Sequence, residues 1–258
     1  MSFWNRIKEI AAVANVRKPV PNAVPAREVS PPARPIQAPI LPSGNPIPVA
    51  AAVTLPPVTH PNAVSFVNLK APALTLADKI NAAEKLGVSV KHINMLLKVE
   101  SGGSSFDDKG RPIILYEPHI FHRRTGGKWS PSSFSYTKWG AQPYPKSFDG
   151  RWSQMEAAAK VDRNAALESA SWGLFQVMGF HWQALGYASV LDFATAMTSG
   201  EPAQLDAMVR FINANGLKAK LQACRAGVPD SCRAFARGYN GAGYEKNDYH
   251  TKLARALK

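Results

Sequence analysis

Cysteine is almost absent. Cys224 and Cys232 are the only two in 258 residues, which leaves neither a disulfide-stapled scaffold nor a cysteine-rich metal site. They flank the short segment RAGVPDS, and two alternatives stand for them, a local disulfide or two buried thiols. Within that segment Asp230 or Ser231 is expected to cap the following helix. Glycine is missing from the front of the chain, where Gly44 is the only one before Gly87, while 13 of the 21 prolines fall between Pro19 and Pro61. No apolar run reaches the roughly 18 residues of a spanning helix. A signal peptide is not expected, since Glu9 interrupts the only candidate apolar core and no clear cleavage site follows. The formal charge is +13, yet no Lys/Arg block is present, so nucleic acid is not the expected partner. There is no H-E-x-x-H, no G-x-S-x-G and no phosphate loop. His119 and His122 have the i, i+3 spacing of metal ligands beside Glu117, but without a third ligand they read as hydrogen-bonded structural histidines. Neither a metal nor a cofactor is expected.

What is present divides the chain in three. Residues 1–18 place Phe3, Trp4, Ile7, Ile10, Ala11 and Ala14 at helical spacing, a short basic amphipathic helix suited to an anionic membrane or wall surface or to docking on its own domain. Residues 19–72 are rich in Pro, Ala and Val and should form a semi-rigid extended spacer. Residues 73–258 carry the folded domain, expected as a monomer.

In that domain Thr75 and Asp78 open a helix closed by Gly87, and a second helix from Ser89 ends on Glu100 before Ser101-Gly102-Gly103. A carboxyl where an apolar helix meets a glycine-rich turn is partly desolvated, which raises its pKa toward the range of a general acid; the alternative is a solvated glutamate in a last helical turn. A small hairpin is expected next, with its turn at Asp108-Lys109-Gly110, its second strand from Ile113 to Glu117, and Pro118 ending the ladder. Asp107 and Asp108 read as turn residues. Arg123 to Arg151 is a long loop rich in aromatic residues, of which at least one is expected to stack on a sugar ring. Helices are expected over Ser153–Glu168, Ser171–Gln183, Ser189–Met197, Glu201–Asn213, Gly216–Cys224, Asp230–Arg237 and Tyr244–Leu257. The class is mainly α (α+β) with one small β-hairpin.

Three patterns recur in order: Glu100-Ser101-Gly102-Gly103, then Ser171-Trp172-Gly173-Leu174-Phe175-Gln176, then Ala236-Arg237-Gly238-Tyr239-Asn240-Gly241. Together with Tyr116-Glu117-Pro118-His119-Ile120-Phe121 they resemble the N-acetylmuramidase family of bacteriophage endolysins, within the lysozyme-like superfamily that includes goose-type lysozymes and lytic transglycosylases. The resemblance covers roughly Ala73 to Lys258. It implies a lysozyme-like fold and a peptidoglycan hydrolase cutting the β-1,4 bond between N-acetylmuramic acid and N-acetylglucosamine, with Glu100 as general acid. Ser171, Trp172, Gln176, Tyr239, Asn240 and His119 become candidates for substrate binding, and Glu117 for a second carboxylate. Turn and helix-end satisfaction stands as the alternative for Gln176, Tyr239 and Asn240, and an ion pair with Arg111, Arg123 or Arg124 for Glu117. Two other outcomes stay open: a lytic transglycosylase forming 1,6-anhydro ends, and an inactive wall-binding or virion-structural protein. The implied setting is phage lysis, with synthesis in the host cytoplasm and action on the wall once the inner membrane is opened.

Overall fold

The computed structural model describes residues 65–100 and 104–258. The expected N-terminal helix, the linker as far as residue 64 and the Ser101-Gly102-Gly103 stop lie outside the described residues. Residues 66–72, read as the end of the linker, already lie against the domain. Phe66 packs 5.9 Å from Trp152 and 5.7 Å from Trp172 between ring centres, and the Asn68 amide donates to the carbonyls of Thr198 and Ser199.

Helix α1 (Leu76–Leu86) opens where expected, on a capping box in which Thr75 and Asp78 each accept from the other's backbone N–H, and closes on Gly87 in the left-handed region. Helix α2 (Val90–Glu100) buries Ile93, Met95 and Leu96 and ends on the acid. Strand β1 (Ile114–Tyr116) follows, but its partner is not the adjacent hairpin arm. Only an isolated bridge between Phe106 and Pro112 closes the local turn. The ladder runs instead to β2 (Ala170–Trp172), with Ile114 opposite Trp172 and Tyr116 opposite Ala170, and β2 pairs in turn with β3 (Val177–Met178). The sheet is therefore three-stranded and antiparallel, in the order β1-β2-β3.

Two expected elements are corrected here. Ser171–Gln183 is not a helix: it is β2, a turn, β3 and a 3-10 turn, Gly179–His181. The reason is backbone handedness, since Gly173 has φ 66 and Gln176 φ 51, both outside what a right-handed helix tolerates. Gly179 cannot be anything else, because a Cβ there would meet the Leu167 carbonyl oxygen at 2.1 Å. The second correction is Pro118, which does more than stop a strand. It occupies the first turn of a short helix, α3 (Pro118–Arg124), where a missing N–H costs nothing.

The remaining helices form the body: α4 (Phe148–Ala159), α5 (Arg163–Glu168), α6 (Val190–Ser199), α7 (Glu201–Ala214), α8 (Lys218–Gln222), α9 (Arg233–Asn240) and α10 (Tyr249–Ala256). The single helix expected over Ser153–Glu168 is split because Asp162 caps a new start, its carboxylate accepting from Ala165 N–H. Neither Asp230 nor Ser231 caps α9: Asp230 pairs with Arg233 at 2.6 Å, and Ser231 Oγ accepts from Arg225 N–H. Cys224 and Cys232 are buried free thiols. Among the described residues, no helix is long and apolar enough to cross a membrane.

Candidate active site

Glu100 is 4% exposed at the end of α2. Helix α10 packs against α2 and aims the Tyr249 hydroxyl at it, so that Oη donates to Glu100 Oε1 across 149 residues of chain. Burial pushes the carboxyl up to about 7, against the opposing pull of that hydrogen bond. Its position at a helix C-terminus, where the dipole disfavours negative charge, works in the same direction as burial. The group is thus poised between acid and base near neutral pH. Tyr249 and Tyr239 both have phenols raised well above the usual range, first by burial and then by the Glu100 charge.

Tyr239 lies near enough to the acid to feel its charge. It lines a cleft of about 330 Å3 whose walls also include Gln176, Val177, Met178, His181, Phe211 and Asn240. Glu100 itself is not among the lining side chains. Three of the lining rings are in contact, His181 to Phe211 at 5.1 Å and Phe211 to Tyr239 at 5.6 Å, and buried Phe235 stacks behind Tyr239 at 5.3 Å. Burial holds the His181 imidazole below its ordinary pKa, which keeps it neutral at neutral pH.

The candidates from the sequence separate into two groups. Gln176, Tyr239 and Asn240 come together at the cleft. Gln176 is at the same time committed to the turn: Nε2 donates to Ile113 O and Gly173 O at 3.1 and 2.6 Å, and Oε1 accepts from Ser171 Oγ at 2.6 Å. Ser171 is buried and acts through that bond. Trp172, a candidate for substrate binding, does not line the cleft. It is fully buried, edge-on to Trp152 and Phe193, with its indole N–H given to Leu167 O; removing such a side chain costs about 3–5 kcal/mol of stability.

Glu117 and His119 belong to a different neighbourhood. Glu117 has no exposed surface, accepts from the Tyr144 hydroxyl and lies 3.3 Å from His119 Nδ1. Two of the expected arginine partners are engaged elsewhere, Arg111 with Asp107 and Asp149, and Arg124 with Glu168. Asp107 is a turn residue, its Oδ1 accepting from Lys109 and Arg111 N–H. The aromatic loop closes over this region. Tyr116 donates to Phe134 O at 2.9 Å, Tyr136 and Tyr144 are buried, and Trp129 and Phe134 pack on the core. Trp139 alone among the loop aromatics is half exposed, at 50%. His122 is held by Ser130 at 2.7 Å. Among the described residues, no group of three metal-ligating side chains comes together.

Sequence reasoning missed Tyr249, His181 and Gln204. Tyr249 carried no local signal, since its role depends on a contact 149 residues away. Gln204 is buried on α7 and holds the β2–β3 turn, accepting from Leu174 N–H and donating to Met197 O. A polar residue on the apolar face of a helix was the one available clue to it.

The mainly helical domain with its small three-stranded antiparallel sheet has a lysozyme-like α+β fold. The N-acetylmuramidase family model matches residues 89–258. The crystal structure of the Burkholderia AP3 phage endolysin is similar with a TM-score of 0.64 and 38% identity, over 72% of this chain and 69% of that one. No curated protein matches. The chain belongs to the N-acetylmuramidase family, as a peptidoglycan hydrolase of the endolysin type.

Proposed function

We propose that the protein cleaves the β-1,4 bond between N-acetylmuramic acid and N-acetylglucosamine, with Glu100 as the general acid. The observation that carries this reading is the buried Glu100 carboxyl, raised to about 7 and bonded to Tyr249 beside the Tyr239 wall of the cleft. Protonated Glu100 gives its proton to the glycosidic oxygen as the C1–O bond breaks, and the sugar left behind carries oxocarbenium character. The resulting carboxylate then takes a proton from the water that adds to C1, which restores the acid. Tyr249 keeps the carboxylate in place between the two steps. Asn240 offers both a donor and an acceptor to acetamido or hydroxyl groups.

A second reading is favoured by one observation, the full burial of Glu117 under Tyr144. A carboxylate with no accessible surface is poorly placed to hold a nucleophilic water. The substrate's own C6 hydroxyl would then replace water, giving a 1,6-anhydro end and a lytic transglycosylase. Mass spectrometry of the soluble products from purified peptidoglycan separates the readings. Reducing-end muramic acid absent from a Glu100→Gln digest supports the hydrolase, products lighter by one water support the transglycosylase, and no products with retention on the wall point to an inactive binding protein. The setting inferred is phage lysis, with residues 1–64 as an address tail for an anionic surface. Deleting residues 1–64, which spares Phe66 and Asn68, should then reduce retention on whole cells and leave turnover of purified peptidoglycan intact.

A further inference from the structure

The cleft is polar in places, yet among the described residues its lining holds no Asp, Glu, Lys or Arg. Four of its side chains can hydrogen-bond: Gln176, His181, Tyr239 and Asn240. Both ends of the Gln176 amide are tied to the β2–β3 turn. His181 stands apart from the other described histidines. His92 is held by Ser89, His119 lies against Glu117, His122 bonds Ser130, and His250 is buried edge-on to Tyr244. His181 is half-buried at the end of the Gly179–His181 turn, and among the described residues neither ring nitrogen has a hydrogen-bond partner or is sealed from solvent. Two aromatic neighbours set the ring, Phe180 at 4.4 Å and Phe211 at 5.1 Å between centres. Burial keeps the imidazole neutral at neutral pH, so it offers one N–H donor and one acceptor nitrogen in either tautomer. Such a ring, in a lining shared with Val177, Met178 and Phe211, matches a group that is uncharged, carries one donor and one acceptor, and ends in a methyl. An acetamido group has that chemistry. An amine on the same carbon is shorter by the whole acetyl group and leaves the ring unpaired; as an ammonium it would also lose water with no carboxylate in the lining to replace it.

We propose that His181 reads an acetamido substituent of the glycan strand and makes the protein discriminate against strands whose amino sugars are N-deacetylated. The proposal rests on the muramidase reading, which puts an acetamido group on each sugar of the bound strand. One neutral hydrogen bond is worth about threefold to tenfold in affinity, and the missing counter-charge adds to the rejection of the amine.

The test uses the full chain carrying Glu100→Gln as a non-cleaving background. It is titrated calorimetrically at pH 7 with two sets of soluble strand fragments, one fully N-acetylated and one N-deacetylated enzymatically. The N-acetylated set should bind on the order of tenfold more tightly. Adding His181→Phe, which keeps a ring against Phe180 and Phe211, should cost that set about threefold to tenfold. Affinity for the deacetylated set should stay unchanged, which also reports an intact fold. Adding His181→Gln instead, which returns a donor and an acceptor, should recover most of the loss. In a chain that retains Glu100, His181→Phe should raise KM on N-acetylated peptidoglycan and hold kcat. A preference that His181→Phe leaves unchanged overturns the proposal, and so does an equal loss on both sets or a loss that glutamine does not recover. Products from the unsubstituted chain that are not cut at muramic acid would sink the muramidase reading instead, and comparing the two fragment sets would still decide whether His181 reads the acetamido group.

Discussion

Glu100 and Glu117 are both buried, and each accepts a hydrogen bond from a tyrosine distant in sequence, Tyr249 for the first and Tyr144 for the second. Their settings differ. Glu100 ends the apolar helix α2, where burial and the helix dipole both disfavour its charge, and its neighbour Tyr239 opens onto the cleft. Glu117 precedes α3, with the His119 ring 3.3 Å away and the aromatic loop closed over it. One environment suits a group that passes a proton to a substrate, the other a group that fastens a loop. The same two residue types thus meet different environments according to which helix end they occupy and what lies beyond the tyrosine.

The largest effect that could break this contrast is on turnover. Glu100→Gln should lower the release of reducing ends on the order of a thousandfold, because an amide keeps the shape and loses the proton. The next effect is on stability. With a folded pKa of about 7 against an ordinary 4.5, Glu100 holds its proton in the native state after the unfolded chain has released it. Native stability therefore falls as pH rises from about 4.5 to 7 and levels off above that, a cost of about 3 kcal/mol. Glu100→Gln should recover that amount at pH 8 and nothing at pH 4, as measured by urea unfolding; an equal effect at both pH values would contradict the assignment.

Smaller changes sharpen the contrast. Tyr249→Phe removes a donor that favours the charged carboxylate, so the alkaline limb of kcat/KM should move upward by about one pH unit. A downward or absent shift would mean that Tyr249 does not act on the acid. Glu117→Gln should have the smallest effect on turnover, within about threefold, with a lower melting temperature from the altered contact to Tyr144. A loss as large as that of Glu100→Gln would restore Glu117 as a second carboxylate.

The contrast also explains what could be read from the sequence. The burial of Glu100 at a helix end was legible because its cues are local, an apolar helical run with a single acid at its end. The start of α1 was legible for the same reason, since Thr75 and Asp78 lie three residues apart. Trp172 was misplaced because a motif gives adjacency and not burial, and only the packing of Trp152 and Phe193 around it shows which way it faces. The Ser171–Gln183 segment was misread because helical periodicity does not register the left-handed φ of Gln176, which the bonds to Ile113, Gly173 and Ser171 hold in place. Tyr249 and Gln204 act through contacts that no window of neighbouring residues contains.

The most direct test is a carbon NMR titration of the Glu100 side-chain carboxyl, identified by its absence in Glu100→Gln, set beside the pH dependence of kcat/KM on purified peptidoglycan. A midpoint near 7 that coincides with the alkaline limb is the predicted result. A midpoint near 4.5, or a limb that moves independently of it, would contradict Glu100 as the proton donor.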